Sequence, residues 1–296
     1  MTAEETPPET PETPVEVFDD RPCELGEGPF WHPLREQFFW FDILNKRMMS
    51  RRGKLQMEWP FDEMPSAGGW IDFDSLLVAT ESGLYKFVLE TQKRELICPL
   101  EADNPNTRSN DGRVDKNGGF WIGTMSKKGA EEPGAGAIYR YYRGEMRRLY
   151  TDITTPNAIC FAPGGELACF ADTARQCIMS VRLDKDGWPS DYPEIFVDLR
   201  HDNLAPDGAV FDASGALWNA QWGAGRVARY RKSGKFRDAF AVPGLHASCP
   251  AFGGGDLKTL IVTTAREHME SPDESQGRTY VLHPNIMGQE DSQFWL

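Results

Sequence analysis

The stretch Asp207-Gly208-Ala209-Val210-Phe211-Asp212-Ala213-Ser214-Gly215-Ala216-Leu217-Trp218-Asn219-Ala220, continuing to Arg226-Val227-Ala228-Arg229-Tyr230, reads as three short strands and their turns. A polar turn opens into an apolar run, an Asp/Gly hairpin follows, and a second apolar run carries a large core residue. A third begins near a glycine and ends in Arg-Tyr. The same grammar governs Asn110-Asp111-Gly112 through Val114, the turn Lys116-Asn117-Gly118-Gly119, Phe120-Trp121-Ile122-Gly123 and Ala137-Ile138-Tyr139-Arg140. Short strands bounded by Gly, Asn and Asp turns, with no helical periodicity between them, indicate an all-β array.

Strand cores recur around Trp40, Leu77, Trp121, Cys169, Trp218 and Ile261, at a period of roughly 45 residues, which falls in the range of propeller repeats. Six repeats predict an all-β, six-bladed β-propeller, and polar residues at one phase of it suit a central metal or sugar site. Glu27, Asn110, Asn157 and Asp207 precede their cores by about 11 to 13 residues, a shared phase within the repeat. Residues at one phase of a closed radial repeat lie in one ring, so these four side chains would meet at one end of the central channel. Glu27 and Asp207 supply anionic oxygens and Asn157 an amide oxygen, a hard donor set suited to Ca²⁺, Mg²⁺ or Mn²⁺ rather than to a thiolate-seeking ion. Taken singly, Asn-Asp-Gly and Pro-Asp-Gly are also ordinary turn sequences. The shared phase is what favours a site over four unrelated turns.

Bulk properties narrow the function. The 296 residues include 28 glycines and 21 prolines, which suits many tight turns. A formal charge of −13 opposes nucleic acid as a partner, since phosphate recognition needs clustered Lys and Arg. No apolar run is long enough to span a bilayer, and the first residues lack the basic and apolar regions of a signal peptide, so the expectation is a cytoplasmic protein with no membrane partner. The acidic surface points to a monomer or weak dimer. Residues 1–14, nearly all Thr, Glu and Pro, are expected to be a disordered tail, leaving residues 15–296 as a single propeller domain. Pairing of Val15–Phe18 with Thr279–Leu282 would close the ring.

Other motifs carry little. Asp184-Lys185-Asp186-Gly187 lacks the later ligands of a calcium loop and reads as a hairpin turn, and Gly134-Ala135-Gly136 lacks the strand-then-helix setting of a dinucleotide site. The six cysteines contain no CxxC pair and read as reduced, buried thiols. There is no GxSxG or HExxH, and the five histidines share no spacing or phase. Hydrolytic chemistry would have to come from a metal or from carboxylates.

Several segments resemble one known family. Leu25-Gly26-Glu27-Gly28-Pro29-Phe30-Trp31, Arg108-Ser109-Asn110-Asp111-Gly112-Arg113-Val114-Asp115, Phe120-Trp121-Ile122-Gly123-Thr124-Met125, Thr155-Pro156-Asn157-Ala158, Pro206-Asp207-Gly208 and His246-Ala247-Ser248-Cys249-Pro250-Ala251-Phe252-Gly253-Gly254 occur in the order found in the regucalcin and gluconolactonase (senescence marker protein) family of six-bladed propellers. The resemblance runs from about Glu24 to His283. It implies metal-dependent hydrolysis of a sugar aldonolactone to the aldonic acid. Glu27, Asn157 and Asp207 would hold one divalent ion, Ca²⁺ as the first expectation with Zn²⁺, Mn²⁺, Mg²⁺ and Fe²⁺ as alternatives. Arg108 and Asn110 would contact the sugar lactone, and Asp207 would double as the catalytic base. Two departures stand out: Ala158 replaces the family's glycine, and Lys127-Lys128 stand where animal members tend to be acidic. The alternatives are a calcium-dependent propeller esterase or phosphotriesterase, favoured by a wide apolar mouth, and a non-catalytic calcium- or protein-binding propeller.

Overall fold

The computed structural model describes residues 13–296. Its strands form six four-stranded antiparallel sheets, arranged as the blades of a propeller. The innermost strands of blades one to six are Gly26–His32, Pro65–Trp70, Thr107–Val114, Pro156–Phe161, Ala205–Phe211 and His246–Gly253. Among the described residues the only helical turns are two 3₁₀ segments, Gly129–Glu131 and Thr173–Arg175. The expected disordered tail lies outside the described residues, except for Thr13 and Pro14, which precede the first strand.

Each expected core residue falls on the second strand of its blade: Trp40 in Gln37–Asp42, Leu77 in Ser75–Thr80, Trp121 in Phe120–Ser126, Cys169 in Leu167–Asp172, Trp218 in Leu217–Trp222 and Ile261 in Thr259–Ala265. All six are completely buried. The repeat's closing arginine also has a physical reason. In blade five, Asp212 accepts hydrogen bonds from the turn amides of Ser214 and Ala216 through Oδ1, and from Arg229 Nη2 (2.7 Å) and Trp218 Nε1 (3.0 Å) through Oδ2. In blade three, Asp115 binds the amides of Asn117 and Gly119 and the Arg140 guanidinium in the same way. One buried carboxylate thus ties the hairpin turn to the third strand, and the guanidinium neutralises it at the same point.

The ring closes as anticipated. Val15–Asp19 adds to the last blade as its outer strand, antiparallel to Thr279–Leu282, with Val15 opposite Leu282 and Val17 opposite Tyr280. Chain start and chain end therefore share one sheet, and no open edge remains between the first and last blades.

Two further features shape the channel. In all six innermost strands the ladder to the second strand slips once, between Glu27 and Phe30, Pro65 and Ala67, Ser109 and Gly112, Asn157 and Cys160, Pro206 and Ala209, and Ala247 and Cys249. A bulge bends its strand and re-aims the side chains beside it, so six bulges at one level make a ring of re-aimed residues. At the other end of the inner strands, residues 286–296 run across the channel. Gln289 Nε2 donates to the carbonyls of Phe161 and Phe211, Trp31 N donates to Asp291 Oδ2 (2.7 Å), Trp70 Nε1 to the Asp291 carbonyl, and Phe294 is buried against Tyr141. This strap bridges several blades and seals the end of the channel opposite the bulge ring.

Candidate active site at the channel mouth

Glu27, Arg108, Asn110, Asn157 and Asp207 all line one cavity of about 470 Å³ at the N-terminal ends of the inner strands. The structure therefore brings together every residue expected there from the sequence. Each sits within one or two positions of the slip in its own strand, which accounts for their convergence from across the chain. All five are buried, with 3 to 6% of their surface exposed. Close backbone packing sets the geometry around the carboxylates. A Cβ on Gly28 would lie 2.4 Å from the Ser66 carbonyl, and one on Gly208 would lie 2.3 Å from Cys249 Sγ. Only glycine lets the neighbouring strands approach this closely.

The electrostatics are those of a crowded anionic pocket. Burial pushes the Glu27 carboxyl up to about 8, the charge of Asp111 adds to this, and hydrogen bonds from Gly28 N and with Asp207 oppose it. Asp207 is also raised, first by burial and then by the Glu27 charge, and its Oδ1 is buried with no donor. Each carboxylate charge thus disfavours ionisation of the other. Asp111 adds a third buried acid just below them, but its Oδ2 accepts from Ile159 N (2.8 Å), turned toward the neighbouring strand. Among the described residues no trio of His, Cys, Asp or Glu is arranged around a common ion position. A cation here would have two carboxylates and the Asn157 amide oxygen as protein donors. That set fits a divalent ion, because the orphaned Asp207 oxygen and two buried carboxyls that both resist ionisation are what an absent positive charge would leave behind.

Asn157 and Asn110 are held by a chain of hydrogen bonds. Arg108 Nη1 donates to the Ser109 carbonyl (2.9 Å) and to Asn110 Oδ1 (2.7 Å). Asn110 Nδ2 donates to the Pro156 carbonyl (2.9 Å) and to Asn157 Oδ1 (3.1 Å). Asn157 Nδ2 donates to Thr173 Oγ1 (2.8 Å), which donates to the Pro206 carbonyl (2.7 Å). Asn110 therefore spends both its N–H groups on the protein and keeps one acceptor lone pair, while Arg108 retains unused donors facing the cavity.

The rim is partly apolar, with Leu25, Leu44, Met64, Met125 and Trp222 on its walls. Trp222 stacks on His246 with ring centroids 4.2 Å apart. Lys127 and Lys128 do reach the cavity, but each is paired, with Glu81 and Glu132 respectively. Sequence reasoning missed Asp111, Thr173 and Trp222. Asp111 lay inside a quoted motif but reads there as a turn residue, and Thr173 and Trp222 follow strands without any motif of their own.

Comparison with known proteins agrees with this architecture. Residues 25–266 match the SMP-30/Gluconolactonase/LRE-like region. A crystal structure described as the calcium-binding protein regucalcin from Agrobacterium tumefaciens str. C58 superposes with a TM-score of 0.93 at 36% identity, covering 96% of this chain and 98% of that one. An L-arabinolactonase of Azospirillum brasilense is 32% identical over 91% of this chain and 92% of its own length. A 6-deoxy-6-sulfogluconolactonase of Pseudomonas putida is 30% identical over 90% of this chain and 94% of its own length. With six blades, a bulge ring carrying the family's motif residues and a match over most of its length, the chain belongs to the SMP-30/gluconolactonase/LRE-like family.

Proposed function

We propose that this chain hydrolyses a sugar lactone to the corresponding aldonic acid, with one divalent cation held by Glu27, Asn157 and Asp207, in a propeller domain spanning residues 15–296. The observation that carries this reading is the pair of buried carboxyls, both pushed upward, beside an amide oxygen of fixed orientation. The relatives named as lactonases support the reaction class, and the neighbour described as calcium-binding supports the cation. When bound, such an ion supplies Lewis-acid polarisation of a carbonyl and acidifies a water molecule.

The chain's own groups account for the rest. Asp207 Oδ1, which has no donor, is the acceptor for the proton released as water adds to the lactone carbonyl. Arg108, buried and without a carboxylate partner among its hydrogen bonds, directs its remaining N–H groups to the sugar hydroxyls. Asn110 steadies that guanidinium and offers its spare lone pair to a hydroxyl. Trp222 gives the apolar face of the sugar a flat surface, and His246 behind it keeps the indole in place.

The apolar wall also favours a second reading, an esterase for less polar substrates. One experiment separates them: hydrolysis of a panel of aldonolactones, aryl esters and a phosphotriester by the chelator-stripped chain, with and without added Ca²⁺, Mn²⁺ or Zn²⁺. Ion-dependent turnover confined to aldonolactones is expected. Preference for aryl esters or the phosphotriester would transfer the assignment, and full activity after stripping would refute the ion.

A further inference from the structure

Thr173 opens the 3₁₀ turn that follows the second strand of blade four, and its side chain lies on the cavity wall. A hydroxyl has one proton. Thr173 gives it to the Pro206 carbonyl of the next blade at 2.7 Å, so toward Asn157 its oxygen can only accept. The group facing it at 2.8 Å must then be the Asn157 amide nitrogen. The opposite end, Oδ1, is thereby fixed as an acceptor, and Asn110 Nδ2 takes one of its lone pairs at 3.1 Å. One lone pair of Asn157 Oδ1 remains.

We infer that Thr173 is a positioning residue, which orients the Asn157 amide so that oxygen rather than nitrogen is presented to the divalent cation. The inference rests on the metal reading given above. The same hydroxyl also ties Asn157 to the backbone immediately before Asp207. Without it only the 3.1 Å bond from Asn110 holds the amide against a half turn, and an NH₂ group directed at a cation repels it.

Calorimetric titration of the chelator-stripped, full-length chain with Ca²⁺, Mn²⁺ and Zn²⁺, each alone, tests this. Thr173→Val should bind at least about tenfold more weakly than wild type, the size of one lost orienting hydrogen bond. Thr173→Ser, which keeps the hydroxyl, should return to within about twofold, and the melting temperature in excess chelator should be nearly the same for Ser and wild type. Unchanged affinity in Thr173→Val, or equal loss in Val and Ser, overturns the inference. A wild-type chain that binds none of the three ions removes the metal reading and this role with it, which separates the two failures. Should Thr173→Val not fold, Asn157→Asp offers a second route, because a carboxylate has no nitrogen to orient. Thr173→Ala in that background should then change affinity by less than about twofold, and a further tenfold loss would count against the inference.

Discussion

Ala158 and Gly28 share one backbone conformation: φ is +55° at Ala158 and +56° at Gly28, and each directly follows a proposed metal donor, Asn157 or Glu27. The left-handed residue turns the strand at its bulge and directs the preceding side chain into the cavity. Their different identities follow from their surroundings. At Gly28 an added Cβ would strike the Ser66 carbonyl at 2.4 Å, whereas the Ala158 methyl is accommodated among apolar neighbours such as Cys160 and Ala209.

Exchanges at these two positions should therefore behave differently. Ala158→Gly loses a buried methyl, worth about 0.8 kcal/mol, and gains backbone entropy in the unfolded chain, worth about 0.5–1 kcal/mol. Relief of the left-handed penalty, about 1–2 kcal/mol, offsets both. The net change in denaturant unfolding should stay within about 1 kcal/mol. Gly28→Ala has no such relief and meets backbone, so a loss above about 2 kcal/mol is expected together with weaker ion binding. Equal effects at the two sites would contradict this account.

The strap offers a second test. Arg113 Nη1 lies 3.0 Å from Asp291 Oδ1, and their side chains are 12% and 15% exposed. Arg113 also faces Asp111 from below, and the Asp291 carboxylate raises the Arg113 pKa above its ordinary value, although burial acts first in the other direction. Asp291→Ala should leave a mostly buried guanidinium without its partner and free the Trp31 amide, costing about 2–4 kcal/mol in urea unfolding. Asp291→Asn, which keeps an acceptor, should cost less. Loss below about 0.5 kcal/mol for the alanine variant would mean that the strap contributes little.

How legible these features were depends on range. The six cores could be read because apolar runs and turn residues alternate locally, and the site residues because they keep one phase against those cores. The strap could not. Asn285 to Gln293 is mostly polar and aperiodic, and its value lies in single hydrogen bonds to five strands far away in sequence. Thr173 was equally silent, since its role depends on where one hydroxyl proton goes. Lys127 and Lys128, a departure from the family pattern, do stand at the cavity rim, but Glu81 and Glu132 occupy their charges.

On the proposed function, Arg108 separates substrate binding from ion binding. Removing its guanidinium leaves Asn110 anchored by its own bonds to Pro156 and Asn157, so the amide donor of the proposed ion site stays in place. Arg108→Ala should raise KM for aldonolactones by about tenfold or more, the loss of at least one charge-assisted hydrogen bond, while Ca²⁺ affinity stays within about threefold. Loss of ion binding in this variant would make Arg108 structural.

The carboxyl pair gives a pH signature with a definite sign. Glu27 is pushed up to about 8 in the folded, cation-free chain, by burial first and then by Asp111, and Asp207 moves the same way through burial and Glu27. A group with a raised folded-state pKa stabilises fully below its unfolded value, near 4.3 for a glutamate. That stabilisation is lost as pH rises through the folded value. The chelated chain should thus lose melting temperature between about pH 5 and 9, and the increase on adding Ca²⁺ should grow across the same window, because the ion takes the place of the protons. A Ca²⁺-induced shift that is flat or shrinks with rising pH would refute the shared site.

Asp207→Asn carries the argument furthest, because it sets stability against function. In the chelated chain the Asp207 carboxyl is buried, faces Glu27 and has an oxygen with no donor. Replacing it with a neutral amide of the same shape removes the like-charge repulsion and lets the new N–H₂ donate to Glu27, so at pH 8 this variant should melt higher than chelated wild type. The same exchange deletes one of two anionic donors and the proton acceptor for water, so ion affinity and aldonolactone turnover should both collapse. Glu27→Gln should show the same pattern more weakly for turnover, since Asp207 remains to take the proton. The measurement is a pair of melting curves in chelator at pH 8 beside an ion titration and a lactone assay. An Asp207→Asn chain that is less stable than wild type without metal, or that retains near-full turnover, would mean that the two carboxyls are not the strained pair the geometry describes.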